Sequence, residues 1–291
     1  MLKMGGARNL LRLPRVSRGM RLGFGLLAIA SFASSGCVTA RAAGNEWRRV
    51  VLVELFTSEG CSSCPAADAF VRELPSLGLG RDKVVPLTFH VDYWDGLGWK
   101  DRFARPDFTA RQEWYARATK LRSPDGEAGL HGLYTPQLVI DGAVHLSGRR
   151  RQEAIHEIER ASAQPPLFEL KPVATVRGSI MDVTIEAIAR PNVKKDLDWR
   201  VVVALALRSA RTPVTHGENA GETLDETAIA RVLSERVSMP AWPGGMARVR
   251  LTKPTDVAWS DIDVVVFVQA EDTGAVGAAI QLAARDTYPP E

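Results

Sequence analysis

Among 291 residues there are only three cysteines and five histidines, aromatic residues make up 7%, and no low-complexity tract or short repeat interrupts the chain. Three cysteines are too few for a small fold stapled by disulfides. Apolar side chains are not scarce, at 45% of the residues, so disorder is excluded too. No apolar run reaches the length of a membrane span, roughly 20 residues. Charge of one sign is also lacking, with 37 Lys+Arg against 34 Asp+Glu. Seven of those bases (Lys3, Arg8, Arg12, Arg15, Arg18, Arg21 and Arg41) lie in residues 1–43, which carry no acid. The rest holds 30 bases against 34 acids, a formal charge of −4. A chain of that sign has no electrostatic footprint for a phosphate backbone or anionic lipid, which argues against nucleic-acid binding.

The basic start continues into an apolar stretch from Leu22 to Ala33, the length of a signal-peptide core, and then into small residues. Ala40-Arg41-Ala42 supplies an A-x-A cleavage site, so residues 1–43 are expected to be a signal peptide and the mature protein periplasmic or secreted. Ser34-Ser35-Gly36-Cys37 offers a second route, a lipoprotein acylated on Cys37. Both routes leave Cys61 and Cys64 as the thiol pair in an oxidising compartment, where a disulfide persists.

Roughly 248 residues follow the leader, a length that suggests two domains. Gln164-Pro165-Pro166 marks the seam, because a proline pair stops a helix and forces extended backbone. The expected division is 47–163 and 166–291. Before the seam, Val50 to Phe56 reads as a strand buried on both faces, Pro65 to Leu74 as a helix and Val84 to Val91 as a second strand. Pro106 to Thr119 reads as a second helix. Leu138 to Ile140 and Ala143 to Leu146 flank Asp141-Gly142, a type I′ hairpin signal, and Arg150 to Ser162 is an amphipathic helix. The order is β-α-β-α-β-β-α. After the seam about seven extended segments follow, the best alternating one being Met181 to Ala189, and an all-β, sandwich-like domain is expected.

The chemistry sits at Gly60-Cys61-Ser62-Ser63-Cys64-Pro65, a Cys-x-x-Cys between a buried strand and the first turn of a helix. Backbone N–H groups and the positive end of the helix dipole stabilise a thiolate there. Cys61 would be the exposed nucleophile and Cys64 the buried partner that resolves a mixed disulfide. Two other readings stand beside this one: an inert structural disulfide, and half of a zinc or copper site. There is no second Cys-x-x-Cys to complete a metal site, and the histidines are scattered.

The Cys-x-x-Cys after the first strand, the element order, and Tyr134-Thr135-Pro136 before a strand together resemble a thioredoxin-like domain. More specifically, Glu54 to Pro65, His90-Val91-Asp92-Tyr93-Trp94-Asp95 with Gly98-Trp99, Arg111-Gln112 with Tyr115, and Tyr134-Thr135-Pro136-Gln137 resemble the bacterial secreted family catalogued as domain of unknown function 1223. Gly217-Glu218-Asn219-Ala220-Gly221, with Leu224 and Arg231, is similar to that family's pattern as well. The resemblance implies a thioredoxin-like α/β domain, followed here by the β-sandwich-like one, and an export signal, but no established activity. By the same analogy the Thr135-Pro136 bond should be cis, with the Thr135 backbone open to an extended substrate.

Parallel strands around a crossover helix bring the segments after Phe56 and Val91 to one sheet edge, so Cys61, the loop Asp92 to Trp99 and Pro136 should converge. Glu54 interrupts the first strand. It is a buried proton acceptor for Cys64, a surface-exposed residue or a structural hydrogen-bonding group. Trp94 and Trp99 are either a substrate platform or packing residues. His90 reads as a satisfied structural residue or, with Asp92, a metal ligand; His131, His145, His156 and His216 read as structural. Arg111 pairs with Asp92, Asp95 or Asp101, or faces solvent. Gly217 to Gly221 is a turn between strands. The expected function is thiol–disulfide exchange with the thiols or disulfides of other exported proteins, served by a redox recycling partner and needing no small cofactor. The rivals are a non-catalytic binding module with a structural disulfide, and a copper- or zinc-handling protein.

Overall fold

A strand covered on both faces needs apolar side chains pointing both ways, and Val51–Thr57 (β1) supplies them: all seven residues are buried. The computed structural model describes residues 49–118, 121–124, 132–239 and 244–283. Residues 1–43, with Cys37 and Ala40-Arg41-Ala42, and His131 lie outside these residues.

After β1 come the helix Pro65–Glu73 (α1), the strand Val84–His90 (β2), the helix Pro106–Ala118 (α2), the hairpin of Gln137–Ile140 (β3) and Val144–Ser147 (β4), and the helix Arg151–Ser162 (α3). Beyond the two prolines run Phe168–Arg177 (β5), Ile180–Ala189 (β6), Trp199–Pro213 (β7), Thr223–Leu233 (β8), Val237–Ser238 (β9), Gly244–Thr252 (β10), Ile262–Ala270 (β11) and Val276–Ala283 (β12).

Pairing corrects the expected fold class. A thioredoxin-like domain followed by a separate β-sandwich would need two sheets divided at the prolines. Instead one nine-stranded sheet runs β12-β11-β7-β8-β2-β1-β3-β4, with β9 beside β7, and β5, β6 and β10 form a second sheet of three strands. Residues from both sides of the seam thus share one mixed α/β sheet. The junction is β2 against β8, parallel, registered at Thr88 with Ile229. Thr88 Oγ1 also donates to the Thr227 carbonyl at 2.9 Å.

The physical reason lies in the outer edge of β2 and in the composition of β7 and β11. An unpaired edge of β2 would leave buried N–H and C=O groups without partners, and β8 covers it. Residues 201–206 of β7 and all of β11 are buried without alternation, which marks strands covered on both faces rather than a sandwich half with a wet outer face. Val202, Ala204, Ala206, Val265 and Phe267 share a core with Leu52, Phe56, Leu87, Phe89 and Phe108 from before the seam. On the opposite sheet face, α1 and α3 bring Phe70, Val71, Ala154 and Ile158 against Val53, Leu55 and Leu138. Each such buried Val, Leu, Ile or Phe side chain contributes roughly 1.5–3 kcal/mol.

The hairpin forms where Asp141-Gly142 places it, with φ of 47° and 59° at the two turn residues. A Cβ on Gly142 would lie 1.8 Å from the Gly274 carbonyl oxygen, so glycine is required there by space as well as by conformation. Asp141 accepts from the Leu52 backbone N–H and from Arg49, both at under 3 Å, which ties the turn to β1.

Candidate functional site

The chain leaves β1 at Thr57 and turns sharply. Gly60 donates its N–H to Ser58 Oγ, Cys61 donates to the Ser58 carbonyl and Cys64 to the Cys61 carbonyl. Cys64 occupies the N-cap of α1 and Pro65 its first turn, where a missing N–H costs nothing. The Cys64 carbonyl accepts from Ala67 and Asp68 at 2.8 and 3.1 Å, starting the helix. Cys61 and Cys64 are joined as a disulfide, with Cα atoms 5.4 Å apart.

Two groups face Cys61 Sγ. Ser63 Oγ lies 3.3 Å away, and Thr135 Oγ1 donates from 3.3 Å. Trp94 Nε1 donates in turn to Thr135 Oγ1 at 2.9 Å. Because indole N–H is only a donor, this contact occupies an acceptor site of the Thr135 hydroxyl and leaves its hydrogen for the sulfur. The Thr135-Pro136 bond is cis. Cys61, Cys64, Thr135, Pro136 and the Asp92 to Trp99 loop therefore do meet at one sheet edge.

One expectation fails: Cys61 is not exposed. Both cysteines have zero solvent exposure. The Gly217–Gly221 turn between β7 and β8 is bonded to the cysteine turn. Asn219 Nδ2 donates to the Glu59 and Cys61 carbonyls at 2.8 and 3.1 Å, and Glu218 Oε2 accepts from Ser62 N–H at 3.0 Å and Ser62 Oγ–H at 2.7 Å. Those bonds hold Glu218 below its usual carboxylate range. The sequence marks this segment as a turn and as part of the family pattern, with no link to the cysteines. Its contact with the cysteines depends on β7 and β8 joining the same sheet as β1, which the expected fold class did not contain.

Glu54 has partners of its own. It is fully buried, and the neighbouring cation is Arg111, whose Nε lies 2.6 Å from Glu54 Oε1. Tyr115 donates its hydroxyl to Glu54 Oε2, and Gln269 from β11 bonds both Arg111 and Tyr115. A carboxylate so compensated fits the structural reading. Arg111 pairs with none of Asp92, Asp95 and Asp101 in this arrangement.

Trp94 and Trp99 turn inward, Trp99 donating to Glu59 Oε2 at 2.8 Å. The exposed apolar residues of that loop are Tyr93 and Leu97, at 38% and 60% exposure. His90 Nδ1 lies 2.7 Å from Asp101 Oδ2, which also accepts from Glu59 N–H. The His90 Nε2 side faces Glu226 Oε1 at 3.7 Å. Burial works to lower the His90 pKa, but the charge and hydrogen bond of Asp101, with Glu226 and Asp68, hold it at about 9. Glu226 is pushed up to about 8 by burial and by its acidic neighbours. Asp68, whose Oδ2 accepts from Thr57, is pushed up to about 6 by burial. His90 is thus a buried histidine bonded through Nδ1 to Asp101, with no hydrogen-bond partner at Nε2 among the described residues. Among the described residues no group of three or more His, Cys, Asp or Glu is arranged to hold a metal ion.

A cavity of about 370 Å³ opens beside the site, lined by Ser62, Pro65, Asp68, Arg72 and Asn219 among others. Among the described residues no helix is long and apolar enough to cross a membrane.

The family model described as "Protein of unknown function (DUF1223)" matches residues 52–269. No curated protein matches the chain. Among solved structures, it is similar to protein AGR_C_4864 from Agrobacterium tumefaciens, at 27% identity and a TM-score of 0.60, covering 84% of this chain and 98% of that one. It is also similar to HBP35 of Porphyromonas gingivalis, at 12% identity and a TM-score of 0.62, covering 84% of this chain and 77% of that one. The second likeness is one of fold alone.

Proposed function

Because the chain belongs to the DUF1223 family, whose description assigns no activity, its function has to be read from the site, and we propose that it is an exported thiol–disulfide oxidoreductase acting on other exported proteins. The observation that supports this reading is the Trp94–Thr135–Cys61 relay at the start of α1. A disulfide sulfur is a weak acceptor and gains little from a hydroxyl aimed at it. A thiolate gains far more, because hydrogen bonds to charged groups are worth roughly 1.5–3 kcal/mol against about 1 for neutral ones. The donor therefore favours the reduced, nucleophilic form of Cys61, as does the helix start.

In the reducing direction the Cys61 thiolate attacks one sulfur of a substrate disulfide, and the other sulfur leaves as a thiolate. Cys64 then gives its proton to solvent and attacks Cys61 Sγ, expelling the second substrate thiolate and closing the Cys61–Cys64 bond. Two electrons pass from the pair to the substrate, and a recycling partner returns them. The oxidising direction is the same sequence reversed, and no small cofactor takes part. Export, to the periplasm or beyond, rests on the Leu22 to Ala33 core and the Ala40-Arg41-Ala42 site, with acylation of Cys37 as the tethered form. Tyr93 and Leu97, beside the cysteines, supply the apolar contact for a polypeptide substrate.

Zero exposure of both cysteines favours a second reading, a binding module whose disulfide only fixes the turn. The reduction potential separates the two. Exchange predicts a value above about −300 mV, and a structural bond one below it. Replacing Cys64 by serine should also trap mixed disulfides with partners in cells. A low potential together with an empty trap defeats the oxidoreductase reading.

A further inference from the structure

The closed turn over the cysteines has consequences of its own, which rest on the exchange chemistry proposed above. We propose that the Gly217–Gly221 loop is a redox-sensitive cover, closed while Cys61 and Cys64 are joined and displaced when reduction puts a negative charge on Cys61 beside Glu218.

Three observations carry this. First, the loop is closed at its base by backbone hydrogen bonds and held at its tip by side-chain ones. Val214 donates its N–H to the Glu222 carbonyl and Gly221 donates to the Val214 carbonyl, both at 2.9 Å, which closes the base as an extension of the β7–β8 hairpin. The tip begins and ends in left-handed glycines, with φ of 77° at Gly217 and 91° at Gly221. Second, the tip is bonded to the cysteine turn itself. Its contacts to the cysteine turn are the two bonds from Asn219 and the two to Glu218, and both cysteines are fully covered. Glu218 and Ser62 are themselves exposed, so water can replace their bonds.

Third, Glu218 and a Cys61 thiolate would compete for the same partial positive charge. The carboxylate sits on the N–H of Ser62, the peptide unit that follows Cys61, at the entry to α1. With the disulfide intact the carboxylate is the anion at that place. Reduction by a small dithiol breaks the Cys61–Cys64 bond with two electrons. One dithiol proton goes to Cys64 and the other to solvent, the dithiol closes into its cyclic disulfide, and Cys61 remains a thiolate. Two anions then share one short stretch of backbone, and the exposed, tethered one is free to leave. The loop would thus shield the oxidised pair and open the reduced one to a substrate disulfide.

The test is amide hydrogen exchange across residues 217–221 of the full chain, oxidised and after reduction with dithiothreitol. The cover predicts exchange about tenfold faster, or more, in the reduced protein. In Glu218→Gln a neutral carboxamide oxygen still accepts from Ser62 without being repelled, so the acceleration should vanish. Equal exchange in the two redox states of the wild type, or full acceleration in Glu218→Gln, overturns the proposal. Asn219→Ala, which removes two of the bonds, should let dithiothreitol reduce the disulfide about tenfold faster, and an unchanged rate would also overturn it. A loop that lifts on reduction while the Cys64→Ser trap stays empty would defeat only the exchange reading. A filled trap with an unmoved loop would defeat only the cover.

Discussion

At the scale of single residues, two hydrogen-bonded chains set the behaviour of the site. Thr135 can donate to Cys61 because Trp94 occupies its oxygen as an acceptor. Thr135→Val keeps the shape and removes the donor, so alkylation of reduced Cys61 near neutral pH should slow by about tenfold, as loss of a bond worth roughly 1.5 kcal/mol or more to a charged sulfur implies. Labelling rates against iodoacetamide measure this. If the variant labels like the wild type, the relay carries no thiolate. The second chain is Glu54–Arg111–Tyr115–Gln269, all buried. Arg111→Met strands a carboxylate in the core and should cost about 3–5 kcal/mol of stability in urea unfolding. The sequence showed that Glu54 breaks an apolar strand and that Arg111 lies on a helix. It could not show that they meet, because the pairing depends on α2 crossing β1 and on a glutamine 158 positions beyond the arginine.

At the scale of elements, α1, β2 and β8 enclose a small set of ionisable groups: His90, Asp101, Glu59, Asp68 and Glu226. Glu59 is pushed up by burial and by Asp101, whereas for Asp101 the charge and hydrogen bond of His90 outweigh burial and hold it low. His90 keeps its proton to about pH 9 in the folded protein against 6.5 unperturbed, so the folded state binds more protons between those values. Its contribution is full below pH 6.5 and is lost as pH rises through 9. Glu226 acts in the same sense, its contribution present below 4.5 and lost as pH rises through about 8. The urea midpoint should therefore fall steadily from pH 6.5 to 9. His90→Gln should start lower and flatten that fall, and an unchanged slope would remove His90 as its source. Local elements were legible: the Asp141-Gly142 hairpin, the cysteine turn before α1 and the convergence of three segments at one edge all follow from short-range signals. The β8 edge against β2 was not, because a parallel pairing across more than a hundred residues leaves no local mark.

At the scale of the whole molecule, the shared sheet makes the half before the prolines dependent on the half after them. Residues 47–163 expressed alone would uncover the β2 edge and the faces of Phe56, Leu87 and Phe89 that pack with β7 and β11. That fragment should show no cooperative thermal transition, while the full chain should unfold in one. An independently folded fragment would instead bear out the division at the prolines. A related consequence concerns β11. Val264, Val266 and Val268 belong to one core, and Val265 and Phe267 to the other. Sliding this strand by one position would exchange the two sets at little hydrophobic penalty, so greasiness cannot specify its alignment. The polar residues at its ends do so instead. Asp263 is anchored by Arg81 and Arg208, and Gln269 by Arg111 and the Gly274 carbonyl. Neutralising both pins together should yield a strand that slips between alignments, a fault of uniqueness before one of stability.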